Sequence, residues 1–247
     1  VSNPDTPAAF KANKELHTLA TSAATPKGYT NTFKDLNAAV SANTYLGFKT
    51  LKSYDVQGCA AACDNTKLCT GFNVYIERDP AWNPDNCSCG LPKSTTNFKC
   101  SLWGSGVDAS AATNFGQGRG QFEVVIVGSN GYSKTETYEP ATPPHWTSPG
   151  KCSGIHNHPK DAIGSMVFKG PFDISLCAGF ADAHNKKNQG GKKECKFFNA
   201  FLLKEDGKPV GTYCKLFTKT YQPNEVDYKH GFSNKYDFET SYGCSKK

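Results

Sequence analysis

The densest run of side chains able to do chemistry is Arg78-Asp79-Pro80-Ala81-Trp82-Asn83-Pro84-Asp85-Asn86. Prolines on both sides of Trp82 oppose its burial in regular structure, and an indole kept at the surface can stack on a sugar face or fill a protein pocket. Arg78, Asp79 and Asn83 beside it would supply polar contacts, so Trp82, Arg78, Asp79 and Asn83 are the candidate ligand-binding residues. Calcium takes roughly six to eight oxygens, of which Asp79, Asn83, Asp85 and Asn86 offer only a part, and Asx turns around the prolines account for the composition. His156-Asn157-His158 could chelate a metal from one face of a strand, with His145 and His184 near in sequence. Spacing fixes no carboxylate or third ligand beside them, and no metal is expected. Glu77, Asp79 and Glu123 could form an acid–base pair on a glycan, but spacing selects no two of them. Gly116-Gln-Gly-Arg-Gly-Gln121 precedes a strand, where a phosphate-binding loop should follow one and open a helix; a turn or bulge is expected. No nucleophile elbow, zinc-protease helix or serine triad order occurs. No catalytic residue and no cofactor are assigned, and the chain reads as a non-enzymatic protein.

The elements that must position these groups belong to a chain of 247 residues with 37% hydrophobic side chains and 23 glycines, enough apolar material for real cores. No apolar run approaches the ~20 residues of a membrane span. The net charge of +6 sits wholly in the last quarter, residues 186–247, where lysines outnumber carboxylates. Only Arg78 and Arg119 are arginines. Readers of nucleic acid lean on arginine forks, so no nucleic-acid partner is expected. If the lysines dock acidic polysaccharide, binding should weaken with salt. The 11 cysteines match no zinc spacing and point to disulfides in an oxidising compartment. With Val1 rather than Met first, the chain reads as a mature secreted, extracellular protein.

A repeat runs through the cysteines. Tyr54-Asp55-x3-Cys59, Cys69-Thr-Gly-Phe72-Asn-Val-Tyr75 and Cys100-Ser-Leu-Trp103 are answered by Asp173-x3-Cys177, Cys195-Lys-Phe-Phe198-Asn-Ala-Phe201 and Cys214-Lys-Leu-Phe217. Four prolines within residues 140–150 make a stiff linker between the copies. The expected organisation is an extension over 1–44 with one short helix opening at Thr6-Pro7, a module over 45–139, the linker over 140–150 and a second module over 151–247. Asp55 and Asp173 should cap short helices. Phe72–Ile76, Phe198–Leu203 and Phe122–Val127 read as strands, and Asp206-Gly207 as a hairpin turn. The fold class is α+β, with each module a short helix packed on an antiparallel sheet.

Cys-x3-Cys on a helix, a third cysteine opening an aromatic strand and a later Cys-x-Leu-aromatic resemble PAN/apple domains. Tyr-Asp-x3-Cys, Phe-Asn-Val-Tyr-x-Glu-Arg-Asp-Pro, Lys-Cys-x-Leu-Trp-Gly and Gly-Ser-Asn-Gly-Tyr look more closely like the apple-like proteins secreted by filamentous fungi. Residues 45–133 match well; 152–243 depart at Ala181, which stands where the helix's second cysteine should be, and through an insertion over 184–193. The resemblance implies bridges Cys59–Cys100, Cys63–Cys69 and Cys177–Cys214. It leaves Cys195 without its usual partner, for which Cys152 is taken, and Cys87, Cys89 and Cys244 unassigned. It also implies binding, to a cell-wall or host-surface glycan or, alternatively, to another extracellular protein as adhesin, effector or inhibitor.

Overall fold

In the computed structural model, residues 2–84, 90–135, 139–188, 191, 193–229 and 233–247 are described. The chain is α+β, with few helices and antiparallel sheets, and separates into two compact units: Val1–Ser41 with Tyr45–Glu136, and Ala42–Thr44 with Thr137–Lys247.

The first unit opens with α1 (Pro7–Lys11) and α2 (Lys14–Ser22). Thr6 caps α1 through its hydroxyl, with Pro7 at the first helical position. One helix was expected here and two are present. Ala12 ends the first and Asn13 caps the second, its Oδ1 accepting from the Glu15 N–H at 3.0 Å, an arrangement asparagine prefers to helix interior. There follow β1 (Tyr29–Leu36), β2 (Ala39–Val40), β3 (Tyr45–Leu51), α3 (Val56–Asp64), β4 (Gly71–Pro80) and β5 (Ser94–Trp103). β6 (Ala112–Asn114), the small hairpin β7 (Gly118–Arg119) and β8 (Phe122–Glu123), and β9 (Val125–Lys134) complete it. The glycine-rich stretch around Arg119 is thus the hairpin between β7 and β8. Residues 29–36, assigned by sequence to an extension, form an edge strand of the main sheet, whose order is β1-β9-β4-β5-β3.

The second unit contains β10 (Gly150–Lys151), β11 (Ala162–Lys169), α4 (Ile174–Lys187), β12 (Phe197–Glu205), β13 (Lys208–Phe217) and β14 (Tyr236–Ser245). Its sheet runs β10-β14-β12-β13-β11. Strand for strand this is the order of the first sheet, with β4 answering to β12, β5 to β13 and β9 to β14. Asp55 and Asp173 cap α3 and α4 as expected. Asp206 and Gly207 both have positive φ, the backbone a two-residue hairpin turn requires.

Strand alternation divides each central strand between two faces. In the first sheet Phe72 and Val74 face α3, where they meet Cys59, Cys63 and Cys100; in the second Phe198, Ala200 and Leu202 face α4 with Cys177, Ala181 and Cys214. Cys59 bonds to Cys100, Cys63 to Cys69 and Cys177 to Cys214. The first and third of these tie each helix to the strand beneath it. Cys152 and Cys195 do not pair. Both are free buried thiols, as is Cys244. Cys195 occupies the place of Cys69, each sulfur 3.3 Å from the carbonyl two residues on, Phe197 and Gly71 respectively. Ala181, fully buried, fills the place of Cys63 and offers no sulfur. Cys152 instead lies beneath Gly243, in reach of Asn199 rather than of α4. Cys87 and Cys89 lie outside the described residues.

The repeated Phe-Asn-x-aromatic string has one structural meaning in both units. Its Phe takes an edge-on ring from the first edge segment: Tyr29 on Phe72 at 5.0 Å, Trp146 on Phe198 at 4.8 Å. The polar tips of those rings donate to the aspartate after the helix's Cys63 or Ala181 position, Tyr29 Oη to Asp64 at 2.8 Å and Trp146 Nε1 to Asp182 at 3.0 Å. Trp146, read by sequence as linker, is therefore core of the second unit. The string's Asn points to the other face and is fully buried. Asn73 donates to Ser129 Oγ and the Asn130 carbonyl and accepts from the Val40 N–H; Asn199 donates to Ser241 Oγ and the Tyr242 carbonyl and accepts from the His156 N–H. Each Asn thereby pins a chain segment across the face of its sheet opposite α3 or α4.

Candidate ligand-binding site

The four residues chosen around Trp82 do not form one site. Trp82 is 37% exposed, and Asn83 beside it is exposed too. Arg78 is 3% exposed: Nη1 donates to the Glu123 carbonyl at 2.8 Å, Nη2 to Asp5 Oδ1 at 3.0 Å, and the guanidinium lies 4.2 Å over Phe122. Asp5 is held in turn by the Ser94 N–H and hydroxyl. Arg78 is therefore a buried anchor for the N-terminal segment and not a surface contact. Asp79, next along β4, points to the opposite face. Asp85 and Asn86, the rest of the expected oxygen-rich loop, lie outside the described residues.

On that opposite face Asp79 joins Glu77, in a pairing that spacing alone could not select. Lys99 Nζ stands 3.6 Å from Glu77 Oε1 and 3.5 Å from Asp79 Oδ2, and Asn97 donates to Asp79 at 2.7 Å. Burial, then the neighbouring Asp79 charge, push the Glu77 carboxyl up to about 7, with Lys99 opposing. Glu123, the third carboxylate of the trio, goes elsewhere and pairs with Lys11 at 3.6 Å. The cluster neutralises itself in part, and Phe48, 57% exposed, lies over Lys99 at 5.3 Å.

The equivalent face of the second unit is concave. A cavity of about 190 Å3 is lined by Ile155, His156, Asn157, Phe201, Tyr213, Lys215 and Tyr228. Phe201 and Tyr213 are cross-strand partners in register and stack at 4.7 Å and 12°, forming one wall. Lys215 is the next outward residue along β13, and its ammonium donates to Asn157 Oδ1. Asn157 is fixed by its own N–H, which donates to Asp227 Oδ2 at 2.7 Å. Sequence reasoning picked out none of Phe201, Tyr213, Lys215 and Tyr228 as binding residues. Period-2 alternation along Phe197–Glu205 and its hairpin partner would have put Phe201, Tyr213 and Lys215 on one face.

His156 and His158 belong to this rim. His156 is fully buried, its Nδ1 3.1 Å from His158 Nε2, and His158 Nδ1 is 3.3 Å from Asp227 Oδ2. Tyr221 stacks on His158 at 3.8 Å and donates its hydroxyl to Asp161 at 2.7 Å. Burial, then the nearby His158, push the His156 imidazole down to about 4, against the opposing influence of Asp227 and Glu225. Burial works to raise the Asp227 carboxyl, and the N–H groups of Asn157 and His158 outweigh it, so the carboxylate stays ionised more readily than usual. Burial lowers the Lys215 ammonium, with Asp227 opposing. Among the described residues no group of three His, Cys, Asp or Glu side chains is placed to hold a metal ion. His184 turns away to the Lys193 carbonyl. The two histidines and Asp227 form a hydrogen-bonded chain that stiffens the segment over Asn199.

This cavity, with a flat aromatic wall, a fixed amide and an ammonium at its edge, can hold one small ring by stacking and polar contacts. No protein-family model, curated protein or solved structure matches the chain significantly.

Proposed function

We propose that this chain is a secreted, non-enzymatic protein that binds carbohydrate through PAN/apple-like modules, with its principal site in the cavity of the second unit. The observation that carries the reading is that cavity: ring surface from Tyr213, backed by the buried Phe201, and from Tyr228, beside the hydrogen-bonding ends of Asn157 and Lys215. Sugars present just such a division between C–H faces and hydroxyl edges. Support for the modules comes from the shared strand order, the helix-to-strand bridges Cys59–Cys100 and Cys177–Cys214, and the duplicated Asn anchors. Secretion is supported by the disulfides; no helix among the described residues is long and apolar enough to cross a membrane.

The test is depletion of the purified protein by insoluble chitin, cellulose, β-glucan, xylan and pectin. Selective depletion by one or more polymers, reduced at least about tenfold in affinity by Tyr213→Ala, is expected. Absence of depletion by every polymer would turn the reading toward a protein partner. That second reading has its own observation: Tyr45 and Phe48 on edge strand β3, and Met166 and Val167 on edge strand β11, are all exposed. Edge strands with apolar side chains are ready surfaces for another chain.

A further inference from the structure

We propose that the cavity of the second unit selects an acidic saccharide, a uronic acid residue whose carboxylate pairs with Lys215; this rests on the carbohydrate reading above and specifies its ligand class. Lys215 is half-buried, at a cavity lined by aromatic and amide groups. An ammonium has three donors, and the hydrogen bond seen here spends one of them on Asn157 Oδ1, a neutral oxygen. Among the described residues no carboxylate lies within ion-pair distance of its Nζ, whereas Lys99, Lys204, Lys219 and Lys235 each have at least one. A cation drawn partly out of water with no carboxylate at contact distance is unfavourable, and a carboxylate brought by a ligand would relieve that.

Three further features narrow the ligand. Asp227 is near enough to act on Lys215, yet it is turned away, its Oδ2 taking the N–H groups of Asn157 and His158. Its charge repels a dianion such as phosphate more strongly than a single carboxylate. The volume is below the roughly 300–1,000 Å3 of pockets for larger ligands, so one ring fits and not an oligomer. Tyr213, half-buried and backed by the buried Phe201 ring, makes this wall apolar and asks for a ring with an apolar face. A single uronate ring, at a chain end or standing out from a polymer, meets all three.

The experiment is titration calorimetry of the full chain with galacturonate, glucuronate and their neutral counterparts galactose and glucose, and with acetate and inorganic phosphate. The acids are expected to bind at least about tenfold more tightly than the neutral sugars, with added salt narrowing the gap. Lys215→Met should erase the preference, bringing acid and neutral sugars to equal affinity, while Lys215→Arg keeps it. Circular dichroism and thermal melting establish that each variant is folded. Equal binding of acid and neutral sugars by the parent protein would overturn the proposal and leave the carbohydrate reading standing. Acetate or phosphate binding as tightly as uronate would overturn it by showing that charge alone is read. Failure of every sugar, with the polysaccharides also undepleted, would overturn both.

Discussion

Arg78 and Asp79 are adjacent in sequence and belong to different parts of the molecule. β4 turns successive side chains to opposite faces, so Arg78 goes inward to Asp5, the Glu123 carbonyl and the Phe122 ring while Asp79 goes out to Lys99 and Asn97. Proximity to Trp82 in the sequence suggests a common surface for them, which would hold only if the run were irregular from Arg78 onward. The strand in fact extends to Pro80, and alternation decides the matter. The consequences for stability differ accordingly. Arg78→Met removes the charged partner of Asp5 and leaves a buried carbonyl unpaired, and is expected to lower unfolding free energy by about 2–4 kcal/mol. Asp79→Asn keeps the shape, relieves repulsion on Glu77 and should shift stability by less than about 1 kcal/mol. Urea midpoints at neutral pH separate the two; equal losses would show that Arg78 is not the anchor described. Lys215 is the residue-scale counterpart in the second unit, and its chemistry was invisible without tertiary structure: its surroundings come from residues 155–157 and 227–228, far away in the chain.

At the scale of elements, much of what was legible rested on local physics. The caps at Thr6, Asp55 and Asp173, the Asp206-Gly207 turn and the central strands all follow from side-chain hydrogen bonding and backbone preference within a few residues. β1 was not legible. Its sequence, YTNTFKDL, buries only Tyr29 and Phe33 and carries no cysteine to mark it as part of the repeat. Its counterpart segment begins at Trp146, in a proline-rich stretch where an edge bridge to Lys246 replaces most of a strand. The disulfide pattern shows the same contrast. Cys195 keeps the position of Cys69, but Ala181 has no sulfur to meet it, and no sequence rule could exclude Cys152 as a substitute. The equivalence of Ala181 with Cys63 can be tested directly. Ala181→Cys is expected to form a bridge with Cys195, closing a loop near 15 residues and adding up to about 3 kcal/mol. Mass mapping should then find Cys152 and Cys244 as the remaining thiols among the described residues. If the introduced thiol and Cys195 can both be alkylated after unfolding without reductant, the equivalence between the two helices is broken.

The two units are built alike and are set to opposite ends of the pH scale. In the first, Glu77 is held up to about 7, so the native state keeps a proton that the unfolded chain releases in the ordinary carboxylate range. Stability from that source is present at the acid end and is lost as pH rises toward 7. His17 acts in the same sense: the Lys11 carbonyl at 2.8 Å and Asp35 at 2.7 Å raise it, so its contribution is full below about 6.5 and fades above. The second unit is reversed. His156 is held down to about 4, so between about 6.5 and 4 the unfolded chain binds a proton the native state refuses, and stability falls with acid. Asp5 in the first unit, and Asp161, Asp227, Glu194 and Glu205 in the second, are lowered carboxylates whose effects centre at or below about pH 4.5 and leave most of this window clear. Hydrogen exchange followed separately in β4–β5 and β12–β13, and corrected for intrinsic rates, should show protection falling in the first pair and rising in the second as pH goes from about 4.5 to 7. Each change is at most about 3 kcal/mol. Glu77→Gln should flatten the first trend below about pH 6.5, leaving the His17 part above it, and His156→Gln the second, each without reversing the other. A common direction for both strand pairs would mean that their pH response comes from the overall charge and not from these two buried groups.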